Sequence, residues 1–258
     1  MKRVLFLGYA VISYLVFFVT FLYAIGFVGN YVVPKAIDDG PETATGVAIA
    51  INIALLGLFG LQHSIMARPA FKRVWQKAVP QPIERATYCL ASSACLILLF
   101  WAWRPMPGVV WDLTGTPFEM VMRVLFFGGW GLVLASSFMI DHFDLFGLRQ
   151  AWLYFQGKEY THHPFRTPFM YKYVRHPLYL GWFLAFWPTP VMTQGHLLFS
   201  FVATAYIVAA TFIEEHDLIN HLGDNYINYR KTTPRYFPIP KRKPVDASPP
   251  PDSTTPAK

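Results

Sequence analysis

Cysteine is nearly missing from this chain. Among 258 residues there are only Cys89 and Cys95, both inside one apolar run. Their spacing puts them on different faces of a helix, which excludes a disulfide framework. No Cys/His set has zinc spacing either, so no metal is expected. Charge is scarce too: Asp, Glu, Lys and Arg make up 14% of the residues, too few to clothe a soluble domain of this size. The acidic share is the smaller, 15 residues against 22 basic, for a formal net charge of +7. Such an excess on a solvated domain would point to nucleic acid. Here the basic residues lie in short loops between apolar runs, and no nucleic-acid partner is expected.

Apolar and aromatic residues fill the space, at 54% and 17% of the chain, with a mean hydropathy of +0.32. The first apolar run, Val4 to Val28, follows Lys2 and Arg3 as in a secretory signal. It is too long for one: a signal core is ~7–15 residues, whereas a spanning helix needs ~20. Further runs cover Thr45 to Met66, Ala86 to Trp103, Met120 to Ile140, Leu178 to Met192 and Leu197 to Ile213. The fifth is short, and Pro188 and Pro190 disturb its end. All the Lys and Arg residues except Lys35, Arg104 and Arg123 fall on one side of the implied topology, which by the positive-inside rule is the cytoplasm.

The expected fold is therefore all-α, a polytopic membrane bundle of about six transmembrane helices, or five if the short run only re-enters, with both termini cytoplasmic. One membrane-embedded domain covers 1–240. The Pro/Ser/Thr-rich tail, 241–258, has too little apolar surface to fold. Between Asp141 and Lys172, a polar loop bearing Trp152, Tyr154, Phe155, Tyr160 and Phe165 is expected to hold a short amphipathic element. Oligomeric state is not legible.

Topology brings polar residues together. Gln62 and His63 close the second run, Asp141 and His142 the fourth, Arg175 and His176 open the fifth, and Glu214 and Glu215 close the sixth. Ionisable groups next to hydrocarbon tend to face one another or a watery cavity, so a shared pocket open to the cytosol is expected. Each group also has a plain reading, as a positive-inside anchor or an interfacial histidine. The two carboxylates fit that reading least. At a helix C-terminus the dipole disfavours them, and they require a cation from Arg175, Arg230 or a ligand.

Arg175-His176-Pro177-Leu178-Tyr179-Leu180-Gly181, then Glu214-Glu215 after an apolar hairpin, then Tyr226-x-x-Tyr229-Arg230, resembles the isoprenylcysteine carboxyl methyltransferase-like superfamily of membrane methyltransferases. The resemblance implies that 171–238 binds S-adenosylmethionine, through Tyr173, Arg175, His176, Leu178, Tyr179, Gly181, Glu214, Glu215, Tyr226 and Arg230. Four further stretches resemble the bacterial methanethiol S-methyltransferase family: Gln62-His63-Ser64-x-Met66-Ala67-Arg68-Pro69, Glu84-Arg85-x-Thr87-Tyr88, Trp103-Arg104-Pro105, and Ser137 to Leu148. The first of these is shared with the NnrU-like membrane proteins.

This second resemblance implies a bacterial inner-membrane enzyme that methylates a small thiol to dimethyl sulfide, taking cofactor from the cytosol and thiol from the bilayer. His63 is the candidate general base, with Gln62, Asp141 and His142 as alternatives. Desolvation of the sulfur without a dedicated base is a further option. Two other functions stay open at this point: a carboxyl methyltransferase acting on a lipid-soluble acid, and a non-catalytic NnrU-like protein.

Overall fold

The computed structural model describes residues 1–161 and 166–239. Phe165 and the 241–258 tail lie outside them. The chain forms α1 (Lys2–Gly29), α2 (Thr45–Ala67), α3 (Pro69–Trp75), α4 (Gln81–Ala102), β1 (Val109–Asp112), α5 (Pro117–Ile140), α6 (His142–Leu145), α7 (Leu148–Phe155), α8 (Pro177–Phe186), β2 (Val191–Thr193), α9 (Gln194–Leu222) and α10 (Asp224–Thr232). Proline sets several boundaries. Arg68 is extended before Pro69, which ends α2 and opens α3, and α5 and α8 also begin at proline, where its missing N–H costs nothing.

Among the described residues, five helices, α1, α2, α4, α5 and α9, are long and apolar enough to cross a bilayer. No more than 39% of the most apolar stretch of any of them is buried. Val4, Leu15 and Val19 of α1, Leu61 and Ile65 of α2, and Phe118, Met120 and Val124 of α5 are exposed. A helix apolar on its outer face belongs in lipid. This is an integral membrane protein.

The fifth apolar run departs from a full helix. Its helical part, α8, stops at Phe186 before Pro188 and Pro190, and ten residues rise only ~15 Å. The segment still joins the two ends of the bundle. His176, before α8, meets Glu215 near one end of α9. Thr193, just before α9, donates to Asp38 at the other end, 2.6 Å away. An extended stretch and β2, paired antiparallel with β1, complete the passage. That two-stranded ladder was not foreseen from the sequence.

Contacts fix which ends lie together. At one end Tyr9 donates to Thr87 (3.0 Å), Arg68 pairs with Asp217 (2.8 Å), and Arg85 donates to the Leu145 carbonyl (2.8 Å). At the other, Asn52 exchanges two hydrogen bonds with the Arg104 backbone (2.8 and 2.9 Å), and Lys35 caps the Trp103 carbonyl (2.9 Å). Between the ends, the core is aromatic: Phe21, Phe126, Trp130, Trp182 and Phe186 interlock edge to face, geometry that adds about 0.5–1.5 kcal/mol per pair beyond burial. The expected amphipathic element is α7, packed on α1 and α4.

Helix α9 runs past the expected Ile213 end to Leu222. Glu214 and Glu215 therefore sit about two turns inside it, beyond reach of the terminal dipole. Their partners, not the helix end, determine their energetics.

Candidate active site

The chain folds so that Arg175 is pinned by backbone and side chain at once. Its N–H donates to the Pro234 carbonyl (2.9 Å) and the next N–H, of His176, to that of Arg235 (3.0 Å), a short extended pairing between the entry to α8 and the segment after α10. The guanidinium donates twice to Glu215 Oε1 (2.9 and 2.7 Å) and, from Nη1, to the carbonyls of Thr233 (2.5 Å) and Arg230 (3.2 Å). Arg235 donates to Glu215 Oε2 at 2.9 Å and to Oε1 at 3.2 Å. His176 completes the group, 3.1 Å from Oε1. A carboxylate only accepts, so His176 Nε2 carries the hydrogen. Glu215 is 2% exposed, and its charge is balanced by guanidinium groups on both sides.

Glu214, the adjacent carboxylate, has a different setting. Tyr179 Oη donates to its Oε2 at 2.7 Å, His176 Nδ1 lies 3.9 Å away, and the side chain is 44% exposed. His176 thus spans the two acids. Around them, Tyr229 donates to the Tyr171 carbonyl, holding the loop ahead of Arg175. Burial raises the Tyr171 and Tyr229 hydroxyls above their usual range, and that of Tyr226 is pushed up to about 12 by burial and the nearby Glu215 charge. All three are neutral phenols at physiological pH.

A cleft of about 440 Å³ opens beside this knot, lined by Arg175, Arg230, Arg235, Glu215, His216 and Phe212. Three guanidinium groups against one carboxylate favour an anionic ligand group there.

A second cluster reaches the first from α2 and α4. His63 Nε2 is 2.8 Å from Tyr88 Oη, and its Nδ1 is 3.2 Å from Ser92 Oγ. Tyr206 of α9 is 3.1 Å from Ser64, its ring packed on Gly60, where a Cβ would lie 3.1 Å from the ring. Tyr88, Tyr179 and Tyr206 lie within electrostatic range of one another. Four helices, α2, α4, α8 and α9, therefore turn an imidazole, three phenols and the Glu214 carboxylate toward one region.

The chain is 54% identical over 236 residues to methanethiol S-methyltransferase 2 of Bradyrhizobium diazoefficiens, covering 92% of this chain and 91% of that one. Methanethiol S-methyltransferase of Mycobacterium tuberculosis is 50% identical over 242 residues, 94% and 99% of the two chains. The chain belongs to the methanethiol S-methyltransferase family. More distantly, Nurim of Danio rerio is 27% identical over 66% of this chain and 64% of its own. No family model matches the chain, and no solved structure does.

Within this family member, the residues singled out from sequence fall into three groups. Arg175, His176, Tyr179, Glu214 and Glu215 meet directly, with Arg230 and the buried Tyr226 beside them on α10. Tyr173 flanks them, 67% exposed, and Leu178 is half-buried. Gly181 turns away, toward α5: a Cβ would lie 2.8 Å from Val133 N, which is the close backbone approach of packed membrane helices.

His63 joins the region through Tyr88, and Gln62 beside it bonds Met66 Sδ (3.1 Å) while its buried Oε1 has no partner among the described residues. Asp141 and His142 stand elsewhere. Asp141 caps α6 by accepting the Asp144 N–H (3.1 Å), and His142 sits between Tyr14 and Ser137, both at 2.8 Å. Burial lowers the His142 pKa, partly opposed by Asp141.

Sequence reading missed Arg235, Tyr206, Ser92 and the role of Tyr88. The one-turn spacing of Tyr88 and Ser92 was a usable signal. Arg235 had none, because a turn after α10 brings it back. Among the described residues no three His, Cys, Asp or Glu side chains are placed to hold a metal ion.

Proposed function

We propose that this protein transfers a methyl group from S-adenosylmethionine to the sulfur of methanethiol, releasing dimethyl sulfide, from a site open to the cytoplasmic side of a bacterial inner membrane. The carrying observation is identity of 54% and 50%, over nearly the full length of both chains, to enzymes bearing that name. The sidedness rests on the basic loops at the end of the bundle where the site lies. The residues present suit the donor. Arg175, Arg230 and Arg235 line a cationic cleft for its carboxylate, Glu214 offers a half-exposed carboxylate to its cationic part, and Gln62 Oε1 is a buried acceptor in want of a donor.

When bound, S-adenosylmethionine supplies an electrophilic sulfonium methyl group. The chain then has to orient the thiol in line at ~3–3.5 Å and favour its thiolate form. His63 provides basicity on the α2–α4 side. His176, by bridging Glu214 and Glu215, fixes the carboxylate side. The small lipid-soluble thiol reaches the site from the bilayer.

The test is a headspace assay for dimethyl sulfide on membranes carrying the protein, supplied with methanethiol and S-adenosylmethionine. Dimethyl sulfide should form in proportion to both substrates. No product, with S-adenosylhomocysteine still bound in calorimetry, would move the assignment to another methyl acceptor. No product and no binding would remove methyl transfer altogether.

A further inference from the structure

The hydrogen bonds around His63 fix where its proton is. Ser92 Oγ donates its single hydrogen to the Tyr88 carbonyl at 3.0 Å. Toward His63 it can then only accept, so His63 Nδ1, 3.2 Å away, is the protonated nitrogen. Nε2 is left with a lone pair, and the Tyr88 hydroxyl facing it at 2.8 Å donates there in preference to the His63 carbonyl, which is 3.4 Å away. His63 is thus already occupied. On the Nε2 side the next group is the buried Tyr88 oxygen, its hydrogen committed to the imidazole and its lone pairs left to accept.

We propose that Tyr88 is the catalytic residue that takes the thiol proton, with His63 as the acceptor behind it and Ser92 as the positioning residue that sets the tautomer. In the step, the S–H bond breaks and its proton goes to Tyr88 Oη as the phenol's own hydrogen moves to His63 Nε2. The electron pair stays on sulfur as the nucleophile that methyl transfer consumes. Once the sulfide has left, the imidazolium returns its Nε2 proton through the Tyr88 hydroxyl to water, so one proton leaves per methyl transferred. Phenol and imidazole both finish as they began.

The surroundings favour negative charge at Tyr88 or the sulfur and keep the His63 imidazolium transient, because Arg85 acts on both groups. The Arg85 guanidinium lies over the Tyr88 ring, 4.9 Å from its centre, and favours negative charge on the phenol oxygen or on a sulfur against it. Its position is held by the bond to the Leu145 carbonyl. The imidazole plane is fixed by stacking on Phe59, with ring centres 5.2 Å apart. The titratable and charged groups facing Tyr88 are Arg85 and Cys89 from α4, Arg68 from the end of α2, Tyr206 from α9 and Tyr179 from α8. Two of these are cations, and none is an anion at neutral pH.

The proposal rests on the methyl-transfer reading for its chemistry, but its first test does not. In full-length protein in detergent micelles, with ¹⁵N-labelled histidine and no substrate, His63 should show Nδ1 protonated and Nε2 bare, and Tyr88→Phe should shift the Nε2 resonance toward that of a free imidazole nitrogen. The opposite tautomer overturns the proposal.

The second test is kinetic. Tyr88→Phe should lower turnover at pH 7 by ~10²–10³, within the usual range for losing a proton acceptor, with S-adenosylhomocysteine affinity within twofold of wild type. Its rate should climb about tenfold per pH unit toward the thiol's own ionisation, as expected when only free thiolate reacts, while the wild-type profile is flatter. Ser92→Ala should fall between the two. Near-normal turnover in Tyr88→Phe, a profile parallel to wild type, or loss of S-adenosylhomocysteine binding along with rate would each overturn the proposal. A wild-type protein that binds S-adenosylhomocysteine but makes no dimethyl sulfide would instead overturn the substrate, with the tautomer result standing.

Discussion

Two histidines near one end of this bundle are held in the same way and surrounded differently. His63 has Tyr88 on Nε2 and Ser92 on Nδ1, and Ser92 gives its hydrogen to a carbonyl of its own helix. His142 has Tyr14 on Nε2 and Ser137 on Nδ1, and Ser137 gives its hydrogen to the Leu134 carbonyl. Both are neutral imidazoles in one tautomer with a phenol donating to them. Beyond that bonding the likeness ends. His142 is enclosed by rings, stacked on Phe138 at 4.0 Å and edged by Phe143 and Phe146, whereas the His63 pair lies under a guanidinium and faces Tyr179, Tyr206 and the Glu214 region. A hydrogen-bonded histidine is a structural device by default. What turns one into chemistry is a charged, accessible neighbourhood.

The comparison breaks most sharply under truncation. His63→Ala should lower turnover by ~10²–10⁴, the span for a lost proton acceptor, with cofactor affinity retained. His142→Ala should keep turnover per folded molecule within a few fold and act on stability instead, since Tyr14 and Ser137 each lose a partner, at about 1–3 kcal/mol for an unsatisfied buried group. Parallel measurement of dimethyl sulfide formation and thermal unfolding in detergent checks both. If the two variants lose activity equally, the aromatic enclosure of His142 has been misread and that side of the bundle belongs to the site.

The carboxylates repeat the contrast between a filled and a spare acceptor. Glu215→Gln should destabilise the protein by about 3–5 kcal/mol, the effect of breaking a buried pair and leaving Arg175 uncompensated. The sequence placed both acids at a helix C-terminus, in need of a cation from Arg175, Arg230 or a ligand. The helix end is elsewhere, because α9 continues to Leu222, while the cation is supplied by Arg175 together with Arg235, with His176 on the same carboxylate. Glu214→Gln, by contrast, should leave unfolding almost unchanged and weaken S-adenosylhomocysteine binding about tenfold, or ~1.4 kcal/mol. Calorimetry on both variants decides the matter, and unchanged affinity in Glu214→Gln would leave that residue as a partner of Tyr179 only.

Much of this was legible. Apolar runs and loop charge located the helices and gathered the polar residues at one end, because lipid leaves a chain few alternatives. The sequence was less informative where three-dimensional return was needed. Arg235 reaches Glu215 through a turn after α10, and Tyr206 meets Ser64 across two helices, contacts that carry no local pattern. Asp141 and His142 were grouped with the site because they end a helix on the correct side. Being on the correct side is a weaker constraint than facing the correct neighbours. Gly181 likewise suited either a cofactor or a helix, and the backbone of α5 occupies the space beside it.

The smallest effect separates His142 from its counterpart by pH alone. Burial holds the folded His142 pKa below the ordinary histidine value, with Asp141 only partly opposing. The unfolded chain therefore takes up a proton at a higher pH than the folded one, so the neutral imidazole stabilises the fold above ~6.5 and that contribution is lost as pH falls through the folded value. One group contributes at most ~1.4 kcal/mol per pH unit. Thermal unfolding of the wild type should shift downward between pH 7.5 and pH 5.5, and His142→Asn, whatever its starting stability, should shift less over the same interval. Equal shifts would mean that protonated His142 is tolerated between its rings, and the enclosure that distinguishes it from His63 would then be too loose to exclude a charge.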